Sequence, residues 1–384
     1  MKSLNRLKFL RIIVCGGFIG GILFSRELWF PLDRTFPRAP LFGEAPLWLE
    51  RLLTLVLVVA LGFIAFSARR KIFFITALVA ALVLISFDQT RLQPWVYQYF
   101  LLLVIMALSD WQTEDETKSN QTLALAQILI AALYFWSGVQ KLNFTFSHET
   151  LPKLLAPLQN LFPATPLPFA WLGIAVALIE SLIGAGLLYR KTRNLAACFA
   201  VLMHLSILGL LIAEDYNSVV WVWNAALIAL VVGSFWKSDV SIKQTMQDAS
   251  RLKIAKSIIA ASALLPVLSF FGGWDMFLSG ALYSGNVEIA VVLTDENFYG
   301  KLPPKAQQAV FQTKNGARML PLFEWSIAEL NVPVYPERRA FREIFARLCK
   351  LRESQSQPEL IIKQRPAIFD GSYKIARVNC DEKE

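Results

Sequence analysis

The sequence predicts an all-α polytopic membrane bundle of about nine transmembrane helices, followed by a small C-terminal α+β extracytoplasmic domain. Three observations lead there. Hydrophobic residues make up 55% of the 384 and charged residues only 17%, against roughly a quarter charged in a typical soluble domain. The apolar residues fall in uninterrupted runs of about 16 to 20, the length that crosses a bilayer. The last third lacks those runs and is nearly charge-balanced, with 15 Lys and Arg against 14 Asp and Glu from residue 272 onward. Such a chain is not a soluble globular enzyme, a secreted disulfide scaffold, a collagen-like polymer or a disordered tail. Neither a GxxxxGKS/T loop nor a usable GxGxxG occurs, so nucleotide hydrolysis and dinucleotide binding have no support.

The spans read, in order, about 10–30, 48–67, 72–87, 92–108, 121–138, 169–189, 194–213, 218–236 and 254–271. The first follows Lys2, Arg6, Lys8 and Arg11, as the core of a signal peptide does. No small-x-small cleavage site follows Phe24, and Arg26-Glu27 ends the run, so an uncleaved anchor is expected. Only the polar link from Asp88 to Arg91 separates the third span from the fourth. If every span crosses, the basic N-terminus, Arg69-Arg70-Lys71, Arg190-Lys191-Arg193 and the segment from Lys237 to Lys253 share one side. The acidic stretch from Asp110 to Lys118 falls there too, but acidic residues weigh little in setting orientation. The expectation is a cytoplasmic N-terminus, a transmembrane helical domain over 1–271 and an extracytoplasmic domain over 272–384. The net charge of +9 then lies almost entirely in the membrane part. There it reflects topology and contact with anionic membrane lipid, with no case for nucleic acid.

In the last third, Val287 to Thr294 is a β-branched run suited to a strand, and Glu359–Lys363 and Ser372–Val378 suit two more. Lys305 to Thr313 and Glu337 to Leu351 have helical spacing, the second with Phe341, Ile344, Phe345 and Leu348 on one side. The four cysteines form no CxxC pair. Cys15 and Cys198 lie inside spans and read as small apolar packing residues. Cys349 and Cys380 are disulfide candidates in an oxidising compartment.

Ionisable residues in lipid are costly and usually face a bundle interior or a water-filled cavity. Glu180 and His204 lie near the middle of the sixth and seventh spans. Counted from the outer end at 1.5 Å per residue, both are roughly 14–16 Å deep, so adjacent antiparallel helices can set them side by side. Asn224, with Trp221 and Trp223, enters the eighth span from the same face, Lys141 lies just past the fifth, and Asp88 and Arg91 occupy the outer link. Each has a plain reading beside the functional one. Lys141 either snorkels to the head groups or acts as a base from an apolar pocket. Tyr134, Gly138 and Lys141 share one helix face at i, i+4 and i+7. Glu180 is a structural tether or a proton carrier, and His204 a satisfied core histidine or a catalytic one. Asp88 and Arg91 form a local ion pair or help bind substrate, and the tryptophans form an interfacial belt or line a pocket. With two histidines in the chain, a multi-histidine metal site is excluded.

The run Tyr134-Phe135-Trp136-Ser137-Gly138-Val139-Gln140-Lys141-Leu142-Asn143 resembles a motif of the vitamin K-dependent gamma-carboxylase family and of the wider bacterial HTTM group that shares its transmembrane domain. The pattern there is aromatic, small, Gly, two variable positions, Lys, Leu, then Asp or Asn. The resemblance implies that Lys141 matches the proposed base that deprotonates the reduced quinone. It also implies a cytoplasmic N-terminus and an active site on the outer face. Gln140 departs from the pattern, because the carboxylases usually have a second Lys there. The segment 121–236 also resembles the four-helix DoxX/MauE module. Ser137 to Leu142 ends one helix, Ile179-Glu180-Ser181-Leu182-Ile183-Gly184 lies in the next, and Leu187-Leu188-Tyr189-Arg190-Lys191 closes it. The two resemblances overlap and together cover about 90–240. The tail after 272 matches no family pattern, and neither the large luminal domain nor a propeptide-binding region of the carboxylases is recognisable.

Three functions follow as expectations. The first is an enzyme with Lys141 as base on a quinone or lipid-soluble phenol, Glu180 and His204 holding protons, and Tyr134, Trp221, Trp223, Asn224, Asp88 and Arg91 around the substrate. The second is a membrane subunit that supports an oxidoreductase partner. The third is a scaffold in which every buried polar group is structural. A quinone-linked or redox-linked role at an outer-leaflet pocket is the favoured expectation.

Overall fold

A computed structural model of the chain describes residues 2–67, 71–108, 116–161, 163, 167–242, 253–353 and 356–382. The apolar runs coil into α1 (Ser3–Phe24), α2 (Leu47–Phe66), α3 (Lys71–Phe87), α4 (Pro94–Ala107), α5 (Glu116–Gln140), α6 (Phe169–Leu188), α7 (Arg193–Ala213) and α8 (Ser218–Phe235). Six of these, α1, α2, α5, α6, α7 and α8, are long and apolar enough to cross a membrane. The helices α3 and α4 and the segment 256–271 are apolar but shorter. Helix lengths among the described residues therefore establish six membrane-length helices where the sequence predicts about nine spans.

Local chemistry explains where the boundaries moved. The first helix starts at Ser3 and stops at Phe24, where Ser25 turns its hydroxyl back onto the Gly21 carbonyl at 2.6 Å, instead of running over 10–30. Pro94 opens α4 two residues late, at a helix start where its missing N–H costs nothing. The last apolar segment is not one α-helix. It begins as α9 (Lys253–Ile259), widens into a π-turn over Ala260–Leu264 and tightens into a 3-10 helix over Leu265–Phe271, with Pro266 at the junction. Of the orientation signals, Arg69, Arg70, residues 109–115 and residues 243–252 lie outside the described residues.

The buried faces of α1, α4, α5 and α8 form the centre of the bundle. The helices α2, α3, α6 and α7 turn Leu55, Val79, Leu182 and Leu202 outward. At one end, Arg6 caps the last turn of α8 by donating to the carbonyls of Gly233 (2.9 Å), Trp236 (2.9 Å) and Lys237 (3.0 Å). At the same end the buried Arg193 donates to Leu187, Ser238 and Val240 carbonyls at 2.8–3.0 Å. The other end carries a sheet.

That sheet has strands β1 (Ile289–Thr294), β2 (Phe311–Gln312), β3 (Arg318–Pro321), β4 (Glu359–Lys363) and β5 (Ile375–Asn379) in the order β2-β3-β1-β4-β5, every neighbouring pair antiparallel. Alternation along β1 and β4 sends Val292, Leu360 and Ile362 inward, against α10 (Leu322–Leu330) and Phe341, Ile344 and Phe345 of α11 (Arg338–Cys349). Cys349 and Cys380 are disulfide-bonded, joining the end of α11 to the residue after β5, with Cα atoms 5.6 Å apart. The expected helix over 305–313 is corrected. Helix covers only Pro304–Ala309, and Phe311 and Gln312 turn into strand to pair with Met319 and Arg318.

Long loops fasten the sheet to the helices. The carboxylate of Glu329 accepts from the Phe36 N–H (2.8 Å), the Thr35 hydroxyl (2.7 Å), the Thr35 N–H and the Trp325 indole (2.8 Å). Gln93 donates to the Pro333 carbonyl at 2.9 Å, and Asn331 to the Phe24 carbonyl at 2.9 Å. Loops 25–46, 88–93 and 141–150 therefore lie at the same end as the sheet.

Candidate functional site

The site begins with two glycines. A Cβ on Gly138 of α5 would lie 2.4 Å from the Ser181 nitrogen and 2.5 Å from the Ala177 carbonyl of α6. One on Gly184 would lie 2.5 Å from the Phe135 nitrogen and 2.6 Å from the Ala131 carbonyl. Small residues at both points let the two backbones touch, the usual device for close helix approach in membranes. That approach brings Glu180 of α6 to the end of α5.

Lys141 follows the last residue of α5. Its ammonium donates to Glu180 Oε2 at 2.7 Å, to Ser137 Oγ at 2.7 Å and to the Ser137 carbonyl at 3.3 Å. Lysine has three donors when charged, and all three are placed. The two side chains are 12% and 10% exposed, so the ion pair is nearly but not wholly enclosed.

A second polar chain runs deeper. Asn224 of α8 uses its Nδ2 on the Val220 carbonyl at 2.7 Å, which turns its Oδ1 toward His204 Nδ1 at 2.6 Å. Oδ1 only accepts, so His204 carries its proton on Nδ1, and its free Nε2 accepts from the Tyr134 hydroxyl at 2.5 Å. Tyr134 and His204 also meet edge to face, ring centroids 5.4 Å apart. Four helices, α5 to α8, thus contribute to one polar region. Glu180 and His204 are not hydrogen-bonded to each other among the described residues, because Lys141 takes the carboxylate and Tyr134 with Asn224 takes both ring nitrogens.

The remaining candidates go elsewhere. Trp221 donates to the Tyr216 carbonyl at 2.9 Å, and Trp223 to Gln98 Oε1 of α4 at 2.7 Å. Gln98 lines a cavity of about 30 Å³ between α4, α5 and residues 262–280, with Trp136, Ser262 and Ser279. That space suits one or two waters, and the Lys141–Glu180 pair is not in its lining. Among the described residues the Asp88 and Arg91 side chains make no direct contact, which corrects the expected local ion pair, and Arg91 acts on Asp88 only through its nearby charge. Arg91 forms an ion pair with Glu50 of α2 and donates to the carbonyls of Leu28 (3.0 Å) and Leu84 (2.7 Å). Arg38 holds the other oxygen of Glu50, and Asp88 faces Arg34 at 2.7 Å. Burial opposes the Asp88 charge, but Arg34 and Arg91, with the Ala39 and Thr90 amides, outweigh it and hold the carboxyl below its ordinary range. These five charges fasten loop 25–46 to the helix ends.

The sequence reading missed Gln140, Glu50 and Ser137. Gln140 donates to Ser269 Oγ at 2.8 Å and accepts from Asn286 Nδ2 at 2.7 Å, joining α5 to the end of the last apolar segment and to the sheet end. Among the described residues no group of three or more His, Cys, Asp or Glu side chains is arranged to hold a metal ion. No family model matches the chain, and no curated protein or solved structure matches it.

Proposed function

We propose that this is a multi-pass membrane protein of the DoxX/HTTM type, with a cytoplasmic N-terminus, nine crossings and an extracytoplasmic sheet. In this reading the polar site of α5 to α8 receives the head group of a lipid-soluble phenol or quinone in a redox-linked role. The observation that carries it is the Lys141–Glu180 pair beside the Tyr134–His204–Asn224 chain, four ionisable side chains and one amide contributed by α5 to α8. Such groups are expensive in lipid and mark function more often than packing.

The donor set suits such a head group. An ammonium and a phenol can each donate to a carbonyl or phenolate oxygen, and a quinone would supply reversible two-electron chemistry there. Within the chain, Lys141 stands as a fully hydrogen-bonded ammonium. It acts first as a positive anchor, and a base role requires that Glu180 take up its proton while Ser137 releases it. His204, with its tautomer held by Asn224, can accept the Tyr134 proton and return it. The completeness of the Lys141 hydrogen bonding also favours a second reading, a non-catalytic subunit for an oxidoreductase partner.

The test is mass spectrometry of small molecules that co-purify with gently extracted protein, beside Lys141→Ala and Glu180→Gln variants. Enrichment of an isoprenoid quinone or phenol in the wild type, lost in both variants, is the expected result. Identical profiles in three folded proteins would transfer the case to the subunit reading.

A further inference from the structure

The hairpin that links β4 to β5 is stiff, basic and apolar at its tip, and it is fastened to the ends of two apolar segments. Gln364 N–H donates to the Lys374 carbonyl at 2.9 Å, Ala367 N–H to Ser372 at 2.8 Å, and Gly371 closes the turn with φ +69°. Asp370 caps it by accepting from the Ser372 N–H (3.0 Å) and hydroxyl (2.8 Å). Arg365 reaches back to the Ser269 carbonyl and, at 3.0 Å, to that of Phe270, the last turn of the final apolar segment. The Ile368 carbonyl accepts from the Phe144 N–H at 2.8 Å, four residues beyond α5. A Cβ on Gly371 would lie 2.7 Å from the Phe144 ring, so the hairpin rests directly on that loop. The tip is thereby held level with the point where α5 and the 256–271 segment end.

At that level the tip presents Phe369, 92% exposed, with Ile368 (39%), Tyr373 (47%) and Ile375 (52%) beside it. Phe271, at the foot of the hairpin, is 82% exposed. These side chains stand exposed at the level where the two apolar segments end. Charge points the same way. Over residues 363–377, Lys363, Arg365, Lys374 and Arg377 outnumber Asp370, and with Arg377 paired to Glu359 at 2.8 Å the hairpin still keeps a positive excess. Apolar and aromatic residues ringed by Lys and Arg are the composition of a segment lying in the head-group layer of an anionic leaflet.

We infer that the β4–β5 hairpin is a membrane wedge. Phe369 and Ile368 insert into the leaflet at the sheet end, and the basic flank sits among the lipid phosphates. The sheet is then held against the bilayer, over the mouth of α5 and α6.

The full-length chain carrying Cys198→Ser and Phe369→Cys, labelled with an environment-sensitive fluorophore, tests this in nanodiscs of phosphatidylcholine and phosphatidylglycerol. Lys314→Cys, in the turn at the opposite edge of the sheet, is the water-facing control. The expected result is blue-shifted emission at 369, quenched by acyl-brominated lipid and protected from iodide, with the reverse at 314. Equal iodide quenching at both positions, without lipid quenching, overturns the wedge. Protection of 369 from iodide and brominated lipid alike also overturns it, since protein would then cover the tip.

Discussion

Lys141 and Glu180 meet at 2.7 Å although 39 residues separate them, and each is the nearest opposite charge the other has. Removing one partner leaves the other charged in an apolar setting, which is costlier than removing both. Lys141→Met is expected to destabilise by about 3 kcal/mol, and Lys141→Met/Glu180→Leu to recover most of that. Thermal unfolding in one detergent reads both. Equal losses in the single and double variants would show that the pair is uncoupled.

His204 is held in the Nδ1-protonated form by an acceptor on α8. In the wild type, 15N spectra of labelled histidine should show that tautomer alone at position 204. Asn224→Ala should give a mixture, and Tyr134→Phe should leave the tautomer in place while removing the short hydrogen bond on Nε2.

The disulfide spans a sequence separation of 31 residues. Chain-entropy arguments for a loop of that size give about 3–4 kcal/mol of stability. Cys349→Ser/Cys380→Ser should therefore unfold at lower denaturant than the wild type, and reductant should lower the wild type to the same midpoint.

Glu50 stands between Arg38 and Arg91 with no exposed surface. Glu50→Gln leaves two guanidinium groups facing each other, and a loss of about 3–5 kcal/mol is expected. Arg91→Met, which leaves Glu50 with Arg38, should cost less. The yield of folded protein and its unfolding temperature rank the two.

Glu337 supplies a pH test. Burial, with the nearby Asp275 carboxylate, pushes its carboxyl up from 4.5 to about 7, despite the hydrogen bond from the Met276 amide. A folded value above the unfolded one means folding favours the protonated form. Its stabilising contribution is complete below about 4.5 and is lost as pH rises toward 7. Glu337→Gln should flatten the fall of melting temperature across that window. An unchanged slope would show that another group governs it.

The helices were legible because run length and hydropathy are local properties, and α6, α7 and α8 lie within a residue or two of their expected limits. Positions in β4 were equally plain from β-branched alternation. What failed was non-local. The partner of Asp88, Arg34, comes from a loop whose fold depends on Glu329 far downstream, and the partner of Arg91, Glu50, comes from the first turn of a separate helix, α2. The contact of Lys141 with Glu180 depends on helix rotation, which Gly138 and Gly184 set by letting backbones touch. Depth counting placed Glu180 and His204 at similar levels but could not say which neighbour each would choose. The π and 3-10 turns of the last segment arise from Pro266 at a point where hydropathy alone reads an unbroken helix.

The amide of Gln140, one residue before Lys141, is committed at both ends, to Ser269 and Asn286. A lysine there could give to Ser269 but could take nothing from Asn286. A neutral amide at this position has an electrical result as well. One positive and one negative charge, Lys141 and Glu180, cancel, so the pair adds no net charge to that end of α5.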